Sequence, residues 1–378
     1  MKVLQLGKFY PIRGGVEKVM YDLMLGLSDA GVHCDMLCAA TEGHPAAVIH
    51  VNSNATLFVI DTAIKLAGTM LAPGMIFKLR AIAGDYNVIH IHHPDPMATL
   101  ALYLSGYKGK VILHWHSDII KQKALLKLYK PLQSWLIKRA NKIVGTTPVY
   151  VQESSFLQHV QHKIDNLPIG VNAIVAKPME VEAIRNRYSS KIIVFSLGRL
   201  VEYKGYEFLI RAAQQLDDRF HIVIGGKGPL EDQLLQLIAD LQLQEKVSMI
   251  GFVDDEMLAN YFAAADIFCL SSIWKTEAFA IVQIEAMSCG KPVVSTKIPG
   301  SGVSWVNQHE ISGLVVEPGD AEALALAIGR IGSDNMLYQN YAAGSLNRFQ
   351  DYFTRDKMIE KCMLIYKQAL ATNILLAN

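Results

Sequence analysis

Nowhere in the 378 residues is there an uninterrupted apolar run of the length a membrane-spanning helix needs, about 18 residues or more; the most apolar region, 62–84, is broken by Lys65, Lys78 and Arg80. The opening 15 residues likewise lack the apolar core of a secretory signal, because Lys2, Lys8 and Arg13 interrupt it. Cysteine is scarce. Cys34, Cys38, Cys269, Cys289 and Cys362 are odd in number and have no CxxC spacing, which points to reduced, buried thiols in a cytosol and away from a disulfide framework. An excess of one charge is also missing: 36 Lys and Arg stand against 35 Asp and Glu. That balance excludes a whole-surface nucleic-acid binder, and no nucleic-acid partner is expected.

With 51% apolar residues the chain reads as globular, and its length exceeds what one ordinary core fills, so two domains are expected. Residues 2–6 read as a buried strand, 7–15 as a loop, 16–31 as a helix and 32–40 as a second strand. Such a β-loop-α-β opening predicts a parallel sheet. Strands are expected again at 88–92, 110–116 and 143–147, with a helix at 149–158. A polar stretch at 172–190 suggests a boundary, after which the alternation restarts: strands at 192–197, 221–225, 247–252, 267–271 and 292–296, helices at 206–216, 230–241 and 256–265. The fold class is α/β, with two doubly wound Rossmann-like domains. Their expected extents are 1–175 and 176–353.

The stretch 276–290, TEAFAIVQIEAMSCG, places Glu277 and Glu285 eight residues apart in an otherwise apolar run. If a helix begins near Glu277, the two lie about 12 Å apart at roughly 1.5 Å per residue. A carboxylate at each end would suit the vicinal hydroxyls of a sugar and a ribose, with a diphosphate between them near the helix N-terminus. Two Glu flanking a core helix remain the alternative. The loop holding Gly198, Arg199 and Lys204 puts two cations five residues apart around a turn, where both can reach one diphosphate. A second glycine loop, 225–228, precedes a helix and reads equally as a turn. Phe252 closes a strand whose end offers backbone N–H and C=O to a flat base, or is a plain strand end. In the first half, Gly14 and Gly15 sit where loop meets helix and would let backbone N–H groups approach an anion, unless they serve a turn.

Two strands in the first half run into histidines: His90, His92 and His93, then His114 and His116. Ligands bind beyond the carboxyl ends of strands in open parallel sheets, so these sit in the right place. No Cys or Glu is spaced to complete a zinc site, and no metal is expected. His116, followed by a small polar residue and Asp118, is the best candidate for touching substrate. The stretch 121–142 holds seven Lys and Arg and no acid, interleaved with Leu, Tyr, Trp and Ile at helical spacing around Pro131, a kink or a break. It reads as a membrane-surface helix or as a solvated basic face.

In order, GGVE, HxHSD, GRLxxxKG, GGKGPL, GFV and ExFxxxxxEAMxxGKPVV resemble the retaining glycosyltransferases of family four. The resemblance covers nearly the whole chain and implies the GT-B fold, with two domains facing a central cleft and the last helix, 354–378, packing back on the first. It further implies that Arg199 and Lys204 bind the donor diphosphate, with Gly14 and Gly15 approaching it from the other domain. Glu277 would meet the transferred sugar and Glu285 the ribose. The backbone of Phe279, Ala280 and Ile281 would approach sugar and phosphate, with Phe252 near the base and His116 at the reacting centre. Ala278 and Ala280 stand where the family commonly has glycine.

Asp-x-Asp is absent, so Arg199, Lys204 and the helix end are expected to stabilise the leaving diphosphate in place of a metal ion. Retention follows from the resemblance. No cofactor is expected, the substrate being a UDP- or GDP-linked hexose. The expected acceptor is a glycan or a polyprenyl-diphosphate-linked lipid of a surface polysaccharide such as O-antigen or capsule. The expected location is the cytoplasm, in contact with the inner face of its membrane through 121–142. Epimerase, phosphorylase and non-catalytic sugar-nucleotide binding are the alternatives. Lys204→Ala is expected to cut turnover far more than stability.

Overall fold

The structure, a computed structural model, describes residues 1–12, 14–41, 43–66, 68–119 and 123–371, with backbone alone for 123–126. The chain divides into two units: Met1–Ile169 with Arg355–Asn378, and Gly170–Thr354. Lys121, the first residue of the basic stretch, and 372–378, the end of the expected last helix, lie outside the described residues.

The first unit contributes β1 (Lys2–Tyr10), β2 (His33–Ala40), β3 (Ala47–Asn52), β4 (Ala55–Ile60), the short pair β5 (Ile64–Leu66) and β6 (Thr69–Leu71), then β7 (Val88–His93), β8 (Lys110–Trp115), β9 (Lys142–Gly145) and β10 (Ile164–Asn166). Eight of them form one sheet in the order β10-β9-β8-β7-β1-β2-β4-β3. All pairs are parallel except β3 with β4. Because helices cover both faces, β7 and β8 are buried along their whole length, which is why they read as apolar runs and show no alternation. The helix Gly15–Asp29 buries Val19, Met20, Leu23, Met24 and Leu27, the i, i+3/4, i+7/8 stripe that fixes one face to the sheet. The last helix, Arg355–Ala371, packs against it. A Cβ on Gly26 would stand 2.4 Å from Ile359, so only glycine permits that approach, and Arg355 pairs with Asp29 at 2.9 Å.

In the second unit β11 (Ile192–Leu197), β12 (Phe220–Gly225), β13 (Val247–Gly251), β14 (Ile267–Leu270), β15 (Val293–Thr296) and β16 (Gly313–Val316) form a parallel sheet in the order β13-β12-β11-β14-β15-β16. The strand order reverses between β11 and β14, so the loops that follow these two strands diverge and leave a crevice.

Several expected boundaries move. The helix expected over 149–158 is Pro148–Gln152, and that over 206–216 is Tyr206–Ala212. Pro131 lies inside one helix, Lys123–Arg139. The acidic stretch changes most: its helix is Ile281–Ser288, so Glu277 precedes it and the helical 12 Å span between the glutamates does not hold. Glu277 is drawn into a turn instead, its N–H bonded to the Trp274 carbonyl at 2.9 Å, and its side chain is claimed by partners outside the helix. None of the described helices is long and apolar enough to cross a membrane.

Candidate active site

In the second unit the expected residues gather at the carboxyl edge of the sheet. Gly198 and Arg199 follow β11, Gly226 follows β12, Phe252 follows β13, and the loop to Glu277 follows β14. Lys204 and Glu277 meet there, Nζ to Oε2 at 2.5 Å with both side chains about 10% exposed, and Ser272 Oγ donates to the same carboxylate oxygen at 2.9 Å. Burial alone would lower the Lys204 pKa; the Glu277 and Tyr203 charges outweigh it and hold it above its ordinary value. Lys204 is therefore a fixed cation. Gly198 makes room for it, since a Cβ there would stand 3.0 Å from Lys204 Cε and 3.1 Å from Nζ. Pairing revises one expectation: Lys204→Ala would leave a buried carboxylate without its partner, so stability should fall along with turnover.

Arg199, five residues before Lys204 in the same loop, is exposed. The helix Ile281–Ser288 begins without a side-chain cap or an acid in its first turn; the N–H of Gln283 bonds to the Ala280 carbonyl at 3.0 Å, and the N–H groups before it suit an anion. Its N-cap, Ala280, has φ +61°, a left-handed conformation that costs a residue with a Cβ about 1–2 kcal/mol. Phe279 is buried, its ring edge-on to Phe353 at 6.0 Å, leaving its backbone as the part that a ligand could meet. Glu285 is half-buried one turn into the helix, and Phe252 is 72% exposed. Ser272 carried no sequence signal; the second of two serines after a strand is unremarkable until the fold brings it to Glu277.

In the first unit, His116 lies at the end of β8, its ring stacked on His114 with centroids 3.9 Å apart. His116 Nε2 meets His92 Nδ1 at 2.9 Å, and His92 Nε2 meets Gln5 Oε1 at 2.8 Å. With Gln5 Nε2 directed at Tyr366 Oη, 3.1 Å away, its Oε1 can only accept. His92 must then donate from Nε2 and accept at Nδ1, so His116 donates from Nε2 and keeps a lone pair on Nδ1. Burial, reinforced by the neighbouring imidazoles and Lys8, holds the His116 pKa well below the ordinary histidine value. The group is a neutral hydrogen-bonding side chain at physiological pH. Gln5 and Tyr366 were not legible as site residues, because one looks like a strand residue and the other lies in the last helix.

Asp118, two residues after His116, is a structural brace that accepts from Trp115 Nε1 at 2.9 Å and Ser154 Oγ at 2.7 Å. Among the described residues, His90, His92 and His114 bring ring nitrogens within 4.8 Å of one another, closer than the sequence spacing suggested. Both His92 nitrogens and one of His90 are already engaged, the latter with Tyr366 Oη at 2.6 Å. Gly14 and Gly15 open the helix Gly15–Asp29, both with positive φ, and among the described residues no atom beyond the chain neighbours lies within 4 Å of where a Gly14 Cβ would stand.

A family model described as Glycosyl transferases group 1 matches residues 135–347, more than half of the chain, and one described as Glycosyltransferase Family 4 matches 13–173. The chain belongs to the group 1 glycosyl transferases. Among curated relatives of this glycosyltransferase, the Escherichia coli protein named O-antigen chain mannosyltransferase C is 29% identical over 98% of this chain and 99% of its own length. The Pseudomonas aeruginosa D-rhamnosyltransferase WbpZ is 30% identical over 94% of this chain and 92% of its own. Among solved structures, sucrose-phosphate synthase of Thermosynechococcus elongatus superposes with a TM-score of 0.81 at 22% identity, covering 98% of this chain and 100% of the other. Anabaena HepE in complex with UDP gives 0.79 at 21% identity, covering 97% and 100%. These likenesses establish the GT-B class of fold, two Rossmann-like α/β domains.

Proposed function

We propose that this glycosyltransferase is a retaining, metal-independent hexosyltransferase that moves a sugar from a UDP- or GDP-linked donor to a lipid-linked glycan during assembly of an O-antigen-like polysaccharide. The observation that carries the reading is the buried Lys204–Glu277 pair beside an uncapped helix start. An ammonium has three donors; Lys204 directs one to Glu277 and keeps the others for the donor diphosphate, where exposed Arg199 adds a bidentate fork. The first N–H groups of Ile281–Ser288 complete the cradle. As the glycosidic bond breaks, negative charge grows on the leaving phosphate oxygen, and fixed cations and N–H dipoles stabilise it without reorganising. A neighbouring acid–cation pair also suits a polyol: Glu277 accepts from sugar hydroxyls, Glu285 from the ribose, and Phe252 lies under the base.

Within the first unit, His116, neutral and with an accepting Nδ1, suits a sugar hydroxyl, and the N–H groups at Gly14 and Gly15 suit an anion. The front-face course of a retaining transfer has the leaving phosphate accept the acceptor's proton, which fits a site whose histidine is held neutral. The names of the relatives support a mannose-series sugar and a polysaccharide acceptor. The basic helix Lys123–Arg139, without an acid, supports contact with an anionic membrane surface.

Thermal shift with UDP, GDP and their hexose conjugates tests the donor assignment, since a ligand of the native state raises Tm by mass action. A shift with a nucleoside diphosphate in EDTA is expected. Activity abolished by EDTA and restored by a divalent ion would contradict the metal-independent reading.

A further inference from the structure

The first unit contains a cavity of about 510 Å³ that the donor chemistry leaves unused, within the roughly 300–1,000 Å³ of small-molecule sites. Leu66 and Leu71 wall it from the β5–β6 pair, Met97 and Leu100 from the helix Pro96–Ser105, and Leu128 and Leu132 from the basic helix. Lys8 also lines it. Exposure sets its direction: Leu128 is 81% and Leu66 55% exposed, so they mark the mouth, whereas Lys8 is half-buried where β1 bulges.

Lys8 is held there at a cost. Its φ is +59°, its N–H donates to Asp95 Oδ2 at 2.6 Å and its Nζ to the Pro94 carbonyl at 2.5 Å. Asp95 is further occupied by the N–H of Ala98 at 2.9 Å. One ammonium donor is engaged and the others remain. The inner end also lies near His116. His116 N–H bonds to the carbonyl of His93 at 3.2 Å, the residue before Pro94 in the cavity wall.

We propose that this cavity takes the hydrocarbon chain of an acceptor lipid bearing a phosphate or diphosphate, with Lys8 against the head group and the chain leaving past Leu100 and Leu132 to Leu128 and Leu66. Three observations select this amphiphile. The walls are aliphatic, one cation stands at the inner end, and the mouth opens beside a helix that carries Lys127 and Lys130 next to Leu128 and has no acid, as a route to an anionic bilayer requires. The proposal rests on the transferase reading above and specifies its acceptor.

The test uses octyl, decyl and dodecyl phosphate below their micelle concentrations, with dodecanol as the head-group control, and measures affinity by calorimetry on the whole chain. Each added methylene should tighten binding about fourfold until the cavity is full, and dodecanol should bind at least tenfold more weakly than dodecyl phosphate. Leu100→Trp, which fills the cavity, and Leu128→Glu, which puts an acid at the mouth, should each weaken dodecyl phosphate at least tenfold while the thermal shift by nucleoside diphosphate stays as in the parent chain. Affinity independent of chain length, or unchanged in both variants, would overturn the cavity assignment, as would binding only to anionic vesicles with no binding of the single-chain phosphates. Loss of the nucleotide shift with chain-length dependence intact would instead overturn the donor reading and leave the cavity assignment supported.

Discussion

The two units place their candidate site residues on the same structural feature, the carboxyl edge of a parallel sheet, yet furnish it in opposite ways. In the second unit the edge carries a buried ion pair, an exposed arginine and a bare helix start. In the first it carries neutral imidazoles locked to one another and to Gln5, above an aliphatic hollow with one lysine. Strand ends decide where ligands bind; the residues after each strand decide what is bound. As proposed above, one edge takes a phosphate-rich donor and the other hydroxyls and hydrocarbon.

If that contrast is real, breaking the ion pair should do the most harm. Lys204→Ala should lower turnover about 10²–10³-fold, the usual loss for one transition-state donor, and destabilise by about 3–5 kcal/mol by stranding Glu277. The double variant Lys204→Ala/Glu277→Ala should recover part of the Tm and none of the turnover, whereas turnover recovered with stability would make the pair merely structural. Arg199→Ala separates the two effects, because the side chain is exposed: activity should drop at least tenfold with an unaltered denaturation midpoint.

The histidine edge should respond to pH in its own way. Burial lowers the pKa of His90 to about 3 and holds His92, His93, His114 and His116 well below the ordinary value. Above about pH 6.5 these groups are neutral folded or unfolded and contribute no slope. As pH falls below that value the unfolded chain takes up protons that the native one refuses, so stability declines, by up to about 1.4 kcal/mol per pH unit for each imidazole. Denaturant titrations between pH 8 and 4 check this, and a stability rising toward pH 5 would contradict it. Turnover should show no step at pH 6.5. The smallest effect belongs to Ala280→Gly, which relieves the left-handed strain and should stabilise by about 0.5–1 kcal/mol after glycine's entropy is counted.

Strand and helix alternation was legible because parallel strands covered on both faces leave continuous apolar runs, and β11 and β14 show it. Gly198, Arg199 and Lys204 were legible as a loop with two cations, yet only coordinates reveal that Lys204 is paired with Glu277. The start of the Ile281–Ser288 helix was misplaced because local pattern favours helix from Glu277, while the neighbouring Ser272 and Lys204, far back in the sequence, pull that carboxylate into a turn. Gln5 and Tyr366 lie 361 residues apart, and no local pattern announces their meeting. The cavity was hidden for the same reason, since its walls come from the β5–β6 pair and two separate helices.

The central claim is that fixed cations and N–H groups, not a metal ion, hold the donor diphosphate. Calorimetric titration of the matching nucleoside diphosphate into the parent chain and Arg199→Ala, both in EDTA, tests it most directly. The account predicts that the parent binds without metal and that the variant binds at least tenfold more weakly; equal affinity for the two, or binding only on adding a divalent ion, would contradict it.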